Sequence, residues 1–200
     1  MTGTTKQGSY TTAIMAGGKS SRMGTDKALV PLLGKPMIEQ VLERVSGLGD
    51  EQIIITNSPR KYRYLGLPLF SDIYENHGPL GGLHAALAKA TYDHVLVVAC
   101  DMPWLNHALL EYMVSIRRSA DVIVPRWTRF PEPLHAVYSK ACLEAVTTCL
   151  EAETLKLIAF YSQVRVRYLE REELARFDSR GRSFANINTP EDLSQARENK

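Results

Sequence analysis

Several features that mark large classes of proteins are missing from this chain of 200 residues. No apolar run approaches the ~20 residues of a membrane-spanning helix, and the polar first nine residues hold no apolar segment typical of a secretory signal. The net charge is only +2, which gives no reason to expect a nucleic acid or an anionic membrane as partner. We therefore expect a cytoplasmic protein, with residues 1–9 as a flexible tail and residues 10–200 as a single domain.

Cysteine and histidine are also scarce. The three cysteines form no C-x-x-C pair, which argues against a disulfide or zinc scaffold and suits a reducing compartment. Cys142 and Cys149 lie seven residues apart on a predicted helix and are assigned to the core, with a redox role as the alternative. The five histidines show no metal-ligand spacing, and no Gly-x-Ser-x-Gly nucleophile motif is present.

Strand-like and helix-like patterns alternate along the whole chain. Strands are predicted over Thr12–Ala16, Gln52–Thr56, Leu67–Ser71, His94–Cys100, Asp121–Pro125, His135–Tyr138 and Val164–Leu169. Helices are predicted over Pro36–Gly47, Leu80–Ala90, Trp104–Arg117, Lys140–Leu150 and Pro190–Glu198, the last with Thr189 as N-cap. Short Ile-, Val- and Leu-rich runs are typical of strands buried on both faces. The pattern predicts an α/β protein, a Rossmann-like three-layer α/β/α fold with a mostly parallel mixed sheet.

Polar residues follow four of the predicted strands. A glycine pair follows the first predicted strand. Asn57, Asp72 and Asp101 follow the second, third and fourth predicted strands. Because ligands of open α/β sheets bind outside the carboxyl ends of the strands, we expect these residues at one ligand-binding edge.

The segment after the first strand favours phosphate binding. Gly17 and Gly18 leave backbone N–H groups uncovered, and Arg22 and Lys27 add positive charge. Neither a P-loop nor a dinucleotide fingerprint fits, since Ala13 stands where the P-loop needs glycine and the glycines are adjacent. The alternative is an ordinary strand–turn–helix connection with solvated charges.

The two carboxylates suggest a metal-assisted site. Asp101 ends a buried strand, where a carboxylate is costly unless it is paired or bound to a cation. Mg²⁺ suits it, because that ion takes one or two carboxylates together with substrate phosphates. Alternatively, Asp101 caps the helix predicted from Trp104. Asp72 is expected to share the metal through water, to bind a ribose, or to cap a turn.

Two further segments point to a nucleoside, each with a plain structural alternative. The glycine-rich loop Gly78–Gly82 opens a predicted helix and would let a flat ring or ribose approach the backbone, unless it is a simple tight turn. Asn57 offers an amide for a base or ribose edge, although asparagine is also common in turns. The whole set suits nucleotidyl transfer, a reaction that needs positioning and charge stabilisation and no protein nucleophile.

The motifs resemble those of a known family. The run from Met15 to Lys27 (Met-Ala-Gly-Gly-Lys-Ser-Ser-Arg-Met-Gly-Thr-Asp-Lys) is similar to the L-A-G-G-x-S-x-R-M-G-x-D-K signature of the molybdenum cofactor guanylyltransferases, the MobA type. The similarity continues at Asp72, in the residues from Gly78 to Leu87, in Cys100–Pro103 and in the residues from Asn186 to Leu193. It therefore runs from the first strand to the last helix.

The resemblance implies a single nucleotidyltransferase domain that transfers GMP from GTP to the terminal phosphate of molybdenum-molybdopterin. Pyrophosphate leaves, and the guanine dinucleotide cofactor forms. It implies Arg22, Lys27 and Asp101 as catalytic residues, with Asp101 holding Mg²⁺. It implies GTP contacts from Met15, Ala16, Gly17, Gly18, Lys27, Asn57, Asp72, Gly78, Pro79, Leu80, Gly82 and Asp101. Asn186 and Asn188 would lie toward the pterin, and other cofactor-biosynthesis proteins or a recipient molybdoenzyme are expected partners.

Alternatives remain at this point. Gly17-Gly18 and Gly78–Gly82 favour guanine over the related cytidylyltransferases, but another nucleotidyl transfer to a phosphorylated acceptor, or a GTP-binding regulator without turnover, also fits. Gly81 stands where alanine is common in the family. Residues 126–170 match the family least, and Arg126, Arg129 and Lys140 there either reach the pterin phosphate or are solvated surface charges.

Overall fold

The computed structural model describes residues 9–17 and 26–198. The strands within them are β1 (Thr11–Met15), β2 (Pro31–Leu32), β3 (Lys35–Pro36), β4 (Glu51–Ile55), β5 (Leu69–Phe70), β6 (His94–Ala99), β7 (Val122–Arg126), β8 (His135–Ser139) and β9 (Val166–Glu170). The α-helices are α1 (Met37–Arg44), α2 (Gly78–Lys89), α3 (His107–Ser115), α4 (Leu143–Glu151), α5 (Arg171–Leu174) and α6 (Pro190–Glu198). The expected tail, apart from Ser9, lies outside the described residues, as do Gly18 and Arg22.

Seven strands form one mixed sheet, in the order β5-β4-β1-β6-β8-β7-β9, and β2 pairs with β3 in a separate ribbon. The strands pair in parallel except at β8, which is antiparallel to both β6 and β7. The central strand β1 is in register on both sides, so that Met15 stands opposite Ile55 and Ala99. The expected mostly parallel mixed sheet is confirmed.

Helices cover both faces of the sheet because alternate side chains of each strand point to opposite sides. Ile14 enters a core with side chains of α1 and α3. Ala13 and Met15 enter a second core with α2 and α4. Cys142 and Cys149 are buried in this second core, and each is a free thiol, as expected. The arrangement is the predicted three-layer α/β/α sandwich.

Several element boundaries differ from the prediction, each for a local reason. The residues Gly78–Gly82 are not a loop, since α2 begins at Gly78. Helix α1 begins after Pro36 because that proline pairs with Pro31 in the ribbon. Helix α3 begins only at His107, since the Asn106 side chain accepts a hydrogen bond from a backbone N–H one turn further on. No helix in the described part of the chain has the length and apolar character to cross a membrane.

A small third core fastens the end of the chain beside the sheet. Ile187, Leu193 and Ala196 pack there against Leu32 and Met37. The expected N-cap of α6 is confirmed: the Asp192 N–H donates to Thr189 Oγ1 at 3.1 Å. The last helix is thus attached to the ribbon that follows Lys27.

Candidate active site

The parallel strands bring their polar ends to one edge of the sheet. At this edge the Cys100 N–H donates to the Met15 carbonyl at 3.1 Å, and the Ala16 N–H donates to the Ile55 carbonyl at 2.9 Å. The Thr56 N–H likewise donates to the Phe70 carbonyl at 2.8 Å. The residues that follow these strands therefore lie along the edge in the strand order β5, β4, β1 and β6, as Asp72, Asn57, Gly17 and Asp101.

The start of the predicted phosphate loop is only partly free to bind a ligand. Ala16 is buried, and its N–H continues the sheet by bonding to Ile55. Gly17 is exposed, so backbone contact with phosphate would begin at Gly17. The predicted contacts of Gly18 and Arg22 fall outside the described residues.

Lys27, at the end of this loop, is linked to the Asp101 edge through Asn188 and Ile187. Its Nζ donates to Asn188 Oδ1 at 2.7 Å. The backbone carbonyl of Asp101 accepts the Ile187 N–H at 2.9 Å. Asn188 therefore contacts Lys27, and its neighbour Ile187 is bonded to Asp101. The place of Asn188 toward the pterin stays a prediction.

The environment of Asp101 disfavours its ionised form in the absence of a further cation. Burial raises the pKa of the Asp101 carboxyl, and the charge of Lys27 only partly counteracts this. A buried carboxylate in this situation gains stability from a bound cation. The capping alternative finds no support, because α3 begins six residues later and is capped by Asn106.

Asn57 and Asp72 form one rigid pair. Asn57 Nδ2 donates to Asp72 Oδ2 at 2.7 Å, and the Asp72 N–H donates back to Asn57 Oδ1 at 2.9 Å. Burial raises the pKa of Asp72, and the hydrogen bond from Asn57 lowers it. The free faces of the amide and carboxylate suit the hydroxyl and N–H groups of a nucleoside.

The first turn of α2 packs very closely against this pair. A Cβ on Gly81 would lie 2.8 Å from the Tyr74 carbonyl oxygen, and one on Gly82 would lie 2.6 Å from Met15 Cε and 3.5 Å from Asp72 Oδ1. Pro79 occupies the start of the helix and Leu80 is buried. Close approach to a backbone carbonyl therefore favours glycine at position 81, whereas a Cβ at position 82 would first meet the flexible end of the Met15 side chain.

Two residues near the loop escaped the sequence prediction. The Asp26 carboxylate accepts a hydrogen bond from the Tyr62 hydroxyl at 2.7 Å and one from Lys61 Nζ at 3.3 Å. Tyr62 is fully buried. Asp26 stands in the motif ending at Lys27 and was therefore detectable, whereas nothing in the sequence singles out Tyr62.

Asn186 lies in a separate cavity next to the Asp101 edge. The cavity has a volume of about 240 Å³ and is lined by Trp104, Arg182, Ala185, Asn186, Ile187, Asp192, Gln195 and Ala196. The Arg182 guanidinium lies 5.5 Å from the centre of the Trp104 ring. An aromatic face with a cation and amides nearby fits a flat, anionic heterocycle.

The three basic residues with open roles are placed differently from one another. Arg126 is paired with Glu170 and lies over the Tyr168 ring, and Arg129 lies over the exposed Phe130 ring. Lys140 Nζ donates to the Ala90 carbonyl at 2.8 Å. Because β8 is antiparallel, Lys140 lies at the opposite end of the sheet, which removes it from the candidate site.

The fold and this polar edge together define a nucleotidyltransferase of the α/β/α class. The family model of the MobA-like NTP transferase domain matches residues 12–166, and the chain belongs to that family.

Relatives of known name agree with this assignment. The chain is 41% identical over 187 residues to the "Probable molybdenum cofactor guanylyltransferase" of Pelotomaculum thermopropionicum, covering 94% of this chain and 91% of the relative. It is 36% identical to the molybdenum cofactor guanylyltransferase of Desulfosudis oleivorans, covering 92% of each. The crystal structure of the molybdopterin-guanine dinucleotide biosynthesis protein A of Archaeoglobus fulgidus is 29% identical, with a TM-score of 0.82 over 94% of this chain and 97% of that one.

Proposed function

We propose that this protein transfers GMP from GTP to the terminal phosphate of molybdenum-molybdopterin. An oxygen of the acceptor phosphate forms a bond to the α-phosphorus of GTP, and the bond from that phosphorus to the β-phosphate oxygen breaks. Pyrophosphate leaves, and the guanine dinucleotide cofactor remains. The names of the relatives support this reaction. The single observation that carries it is the link from Lys27 to the Asp101 edge through the adjacent residues Asn188 and Ile187.

The chain's own residues position the reactants and stabilise charge. Lys27 places a positive charge where a triphosphate would enter from the glycine loop, so it would stabilise the charge that develops on the leaving pyrophosphate. The Asn57–Asp72 pair and the exposed residues Gly78 and Pro79 at the start of α2 would hold the ribose and base. We propose Arg22 as a second phosphate-binding cation.

A divalent cation, which enzymes using nucleoside triphosphates usually require, fits the donors present. Among the described residues no group of three or more His, Cys, Asp or Glu side chains could hold a metal. Asp101 would hold the ion together with phosphate and water oxygens, because Mg²⁺ usually takes only one or two carboxylates beside substrate phosphates. The ion would supply charge neutralisation on the phosphates.

The acceptor would approach from the side of α6. The cavity beside Asn186 offers the Trp104 ring and the Arg182 guanidinium close to Asp101. We propose that part of the acceptor binds there. We also propose that residues 10–200 work as one cytoplasmic domain, which receives the labile acceptor from another cofactor-biosynthesis protein or passes its product to a recipient molybdoenzyme.

The first test is calorimetric titration with GTP, CTP and ATP in the presence of Mg²⁺. We expect GTP to bind most tightly, and a preference for CTP would instead assign the protein to cytidylyl transfer. Lys27→Ala is expected to weaken GTP binding, whereas Lys140→Ala, which removes the same charge at the far end of the sheet, is expected to leave it unchanged. Equal effects of the two substitutions would contradict the placement of the triphosphate.

Turnover distinguishes an enzyme from a GTP-binding regulator. Pyrophosphate release is measured with GTP, Mg²⁺ and molybdenum-molybdopterin as acceptor. Release that depends on both acceptor and metal is expected. GTP binding without any release, with an acceptor that a known guanylyltransferase accepts in parallel, would favour the regulator.

A further inference from the structure

The ammonium group of Lys27 is held by a residue from the far end of the chain. Lys27 Nζ donates to Asn188 Oδ1 at 2.7 Å, across 161 positions of sequence. The ammonium group carries three N–H donors, and the bond to Asn188 uses one of them. Asn188 therefore holds the ammonium group of Lys27 through a single hydrogen bond.

Asn188 is itself fixed on both sides. Its N–H and that of Thr189 each donate to Asp192 Oδ2 at 2.8 Å. On the other side, the Ile187 N–H donates to the Asp101 carbonyl at 2.9 Å. The amide of Asn188 is thus carried by a segment that is bonded to the active-site edge and to the first turn of α6.

A common core holds Lys27 and Asn188 in relation to each other. Lys27 begins a short 3₁₀ helix, Lys27–Leu29, which leads into β2. Leu32 of β2 packs with Ile187 and with Leu193 of α6, and Arg197 donates to the Pro31 carbonyl at 3.0 Å. The donor and the acceptor of the bond therefore rest on the same small core.

We propose that Asn188 is a positioning residue that orients the Lys27 ammonium beside Asp101 toward the triphosphate. This inference rests on the proposed function, in which GTP binds at this edge. A long lysine side chain loses rotamer entropy when it is ordered. A site that orders the side chain before GTP binds removes this entropic cost from the reaction. A neutral amide suits the role, because a carboxylate would pair with the ammonium and weaken its field on the phosphates.

The contact can be tested without nucleotide. Nucleotide-free protein is treated with acetic anhydride, and acetylation of each lysine is followed by mass spectrometry with exposed Lys156 as internal reference. Asn188→Ala is expected to raise the acetylation rate of Lys27 about threefold or more. Asn188→Asp, which keeps an acceptor oxygen, is expected to leave that rate at or below the wild-type value.

A double-mutant cycle tests whether the contact between Asn188 and Lys27 contributes to turnover. Asn188→Ala alone is expected to lower kcat for pyrophosphate release about tenfold, and the Asn188→Ala/Lys27→Ala protein is expected to match Lys27→Ala alone, since Asn188 acts through Lys27. Asn188→Asp is expected to raise the GTP dissociation constant about tenfold although its Lys27 stays protected. Ser194→Ala, an exposed change on α6, is the control and should behave as wild type.

The outcomes separate this inference from the proposed function. An unchanged acetylation rate in Asn188→Ala, or an additive cycle, would overturn the positioning role, and an additive cycle would favour direct contact between Asn188 and the acceptor. Failure of the wild-type protein to bind GTP would instead overturn the proposed function, while the acetylation rates still decide whether Asn188 holds Lys27. Thermal unfolding of each variant shows whether a loss of fold explains the change.

Discussion

Replacing Tyr62 with phenylalanine removes one buried hydroxyl group and leaves the aromatic ring in its place. That hydroxyl donates to the Asp26 carboxylate at 2.7 Å, and the side chain is fully buried. A hydrogen bond to a charged group contributes about 1.5–3 kcal/mol. Lys61 continues to bond to Asp26, so we expect the free energy of unfolding to fall by about 1.5–2 kcal/mol, at the lower end of that range.

The pH dependence of this contribution has a definite sign. Burial, followed by the hydrogen bond to Asp26, raises the pKa of Tyr62 above its ordinary value of 10.0. The protonated hydroxyl that donates is therefore favoured in the folded state. Its contribution is fully present below pH 10.0 and is lost only at higher pH. A measurement at neutral pH reports the whole effect.

Urea unfolding at neutral pH is the assay, with Tyr64→Phe as the matched control. Tyr64 carries the same hydroxyl group but is 58% exposed, so loss of its hydroxyl should cost no more than about 0.5 kcal/mol. Because Asp26 immediately precedes Lys27, GTP affinity should also fall in Tyr62→Phe and not in Tyr64→Phe. Equal stability losses in the two variants would refute the reasoning.

Three further predictions concern the active-site edge. Asp101→Asn should lower turnover by at least ~100-fold. The melting temperature should stay equal or rise, because the substitution removes a buried charge. Near-normal metal-dependent turnover would contradict the metal role of Asp101. Gly81→Ala should lower the free energy of unfolding by up to about 2 kcal/mol. The new Cβ would lie 2.8 Å from the Tyr74 carbonyl oxygen, and this overpacking outweighs a gain of about 1 kcal/mol in helix propensity. A variant that is more stable in urea unfolding would show that the turn relaxes. Asp192→Asn should lose about 1 kcal/mol of stability at pH 7. The hydrogen bond from the Asn188 N–H, first among several, lowers the pKa of Asp192. The contribution of the Asp192 carboxylate to stability should therefore vanish as the pH falls below 3.8. A stability difference between the two proteins that does not change with pH would exclude the carboxylate as its source.

Much of the fold follows directly from sequence pattern. Short runs such as Val95–Ala99 are apolar at every position, which fits only strands covered on both faces, and the alternation with helical segments then gives a parallel sheet. The polar residues after four of these strands identify the binding edge, because parallel strands end together. The glycine pair, Lys27 and Asp101 indicate nucleotidyl transfer from the sequence alone.

Contacts between distant segments were not accessible from the sequence. The strand pattern does not reveal that β8 reverses direction, which moves Lys140 away from the site. Nor does it reveal the ribbon Pro31–Pro36, whose strands are two residues long and contain proline. The start of α2 at Gly78 depends on packing against Tyr74 and Met15, and local propensity would not place a helix on three glycines in five residues.

The sequence by itself determined the fold class, the order of its strands along the chain and the residue types gathered at one edge, because these depend on local periodicity and on the common direction of parallel strands. Only the tertiary structure decided which side chains at that edge touch. The bonds from Lys27 to Asn188 and from Tyr62 to Asp26 join segments 161 and 36 residues apart, and such contacts are set by how the helices and the ribbon pack together.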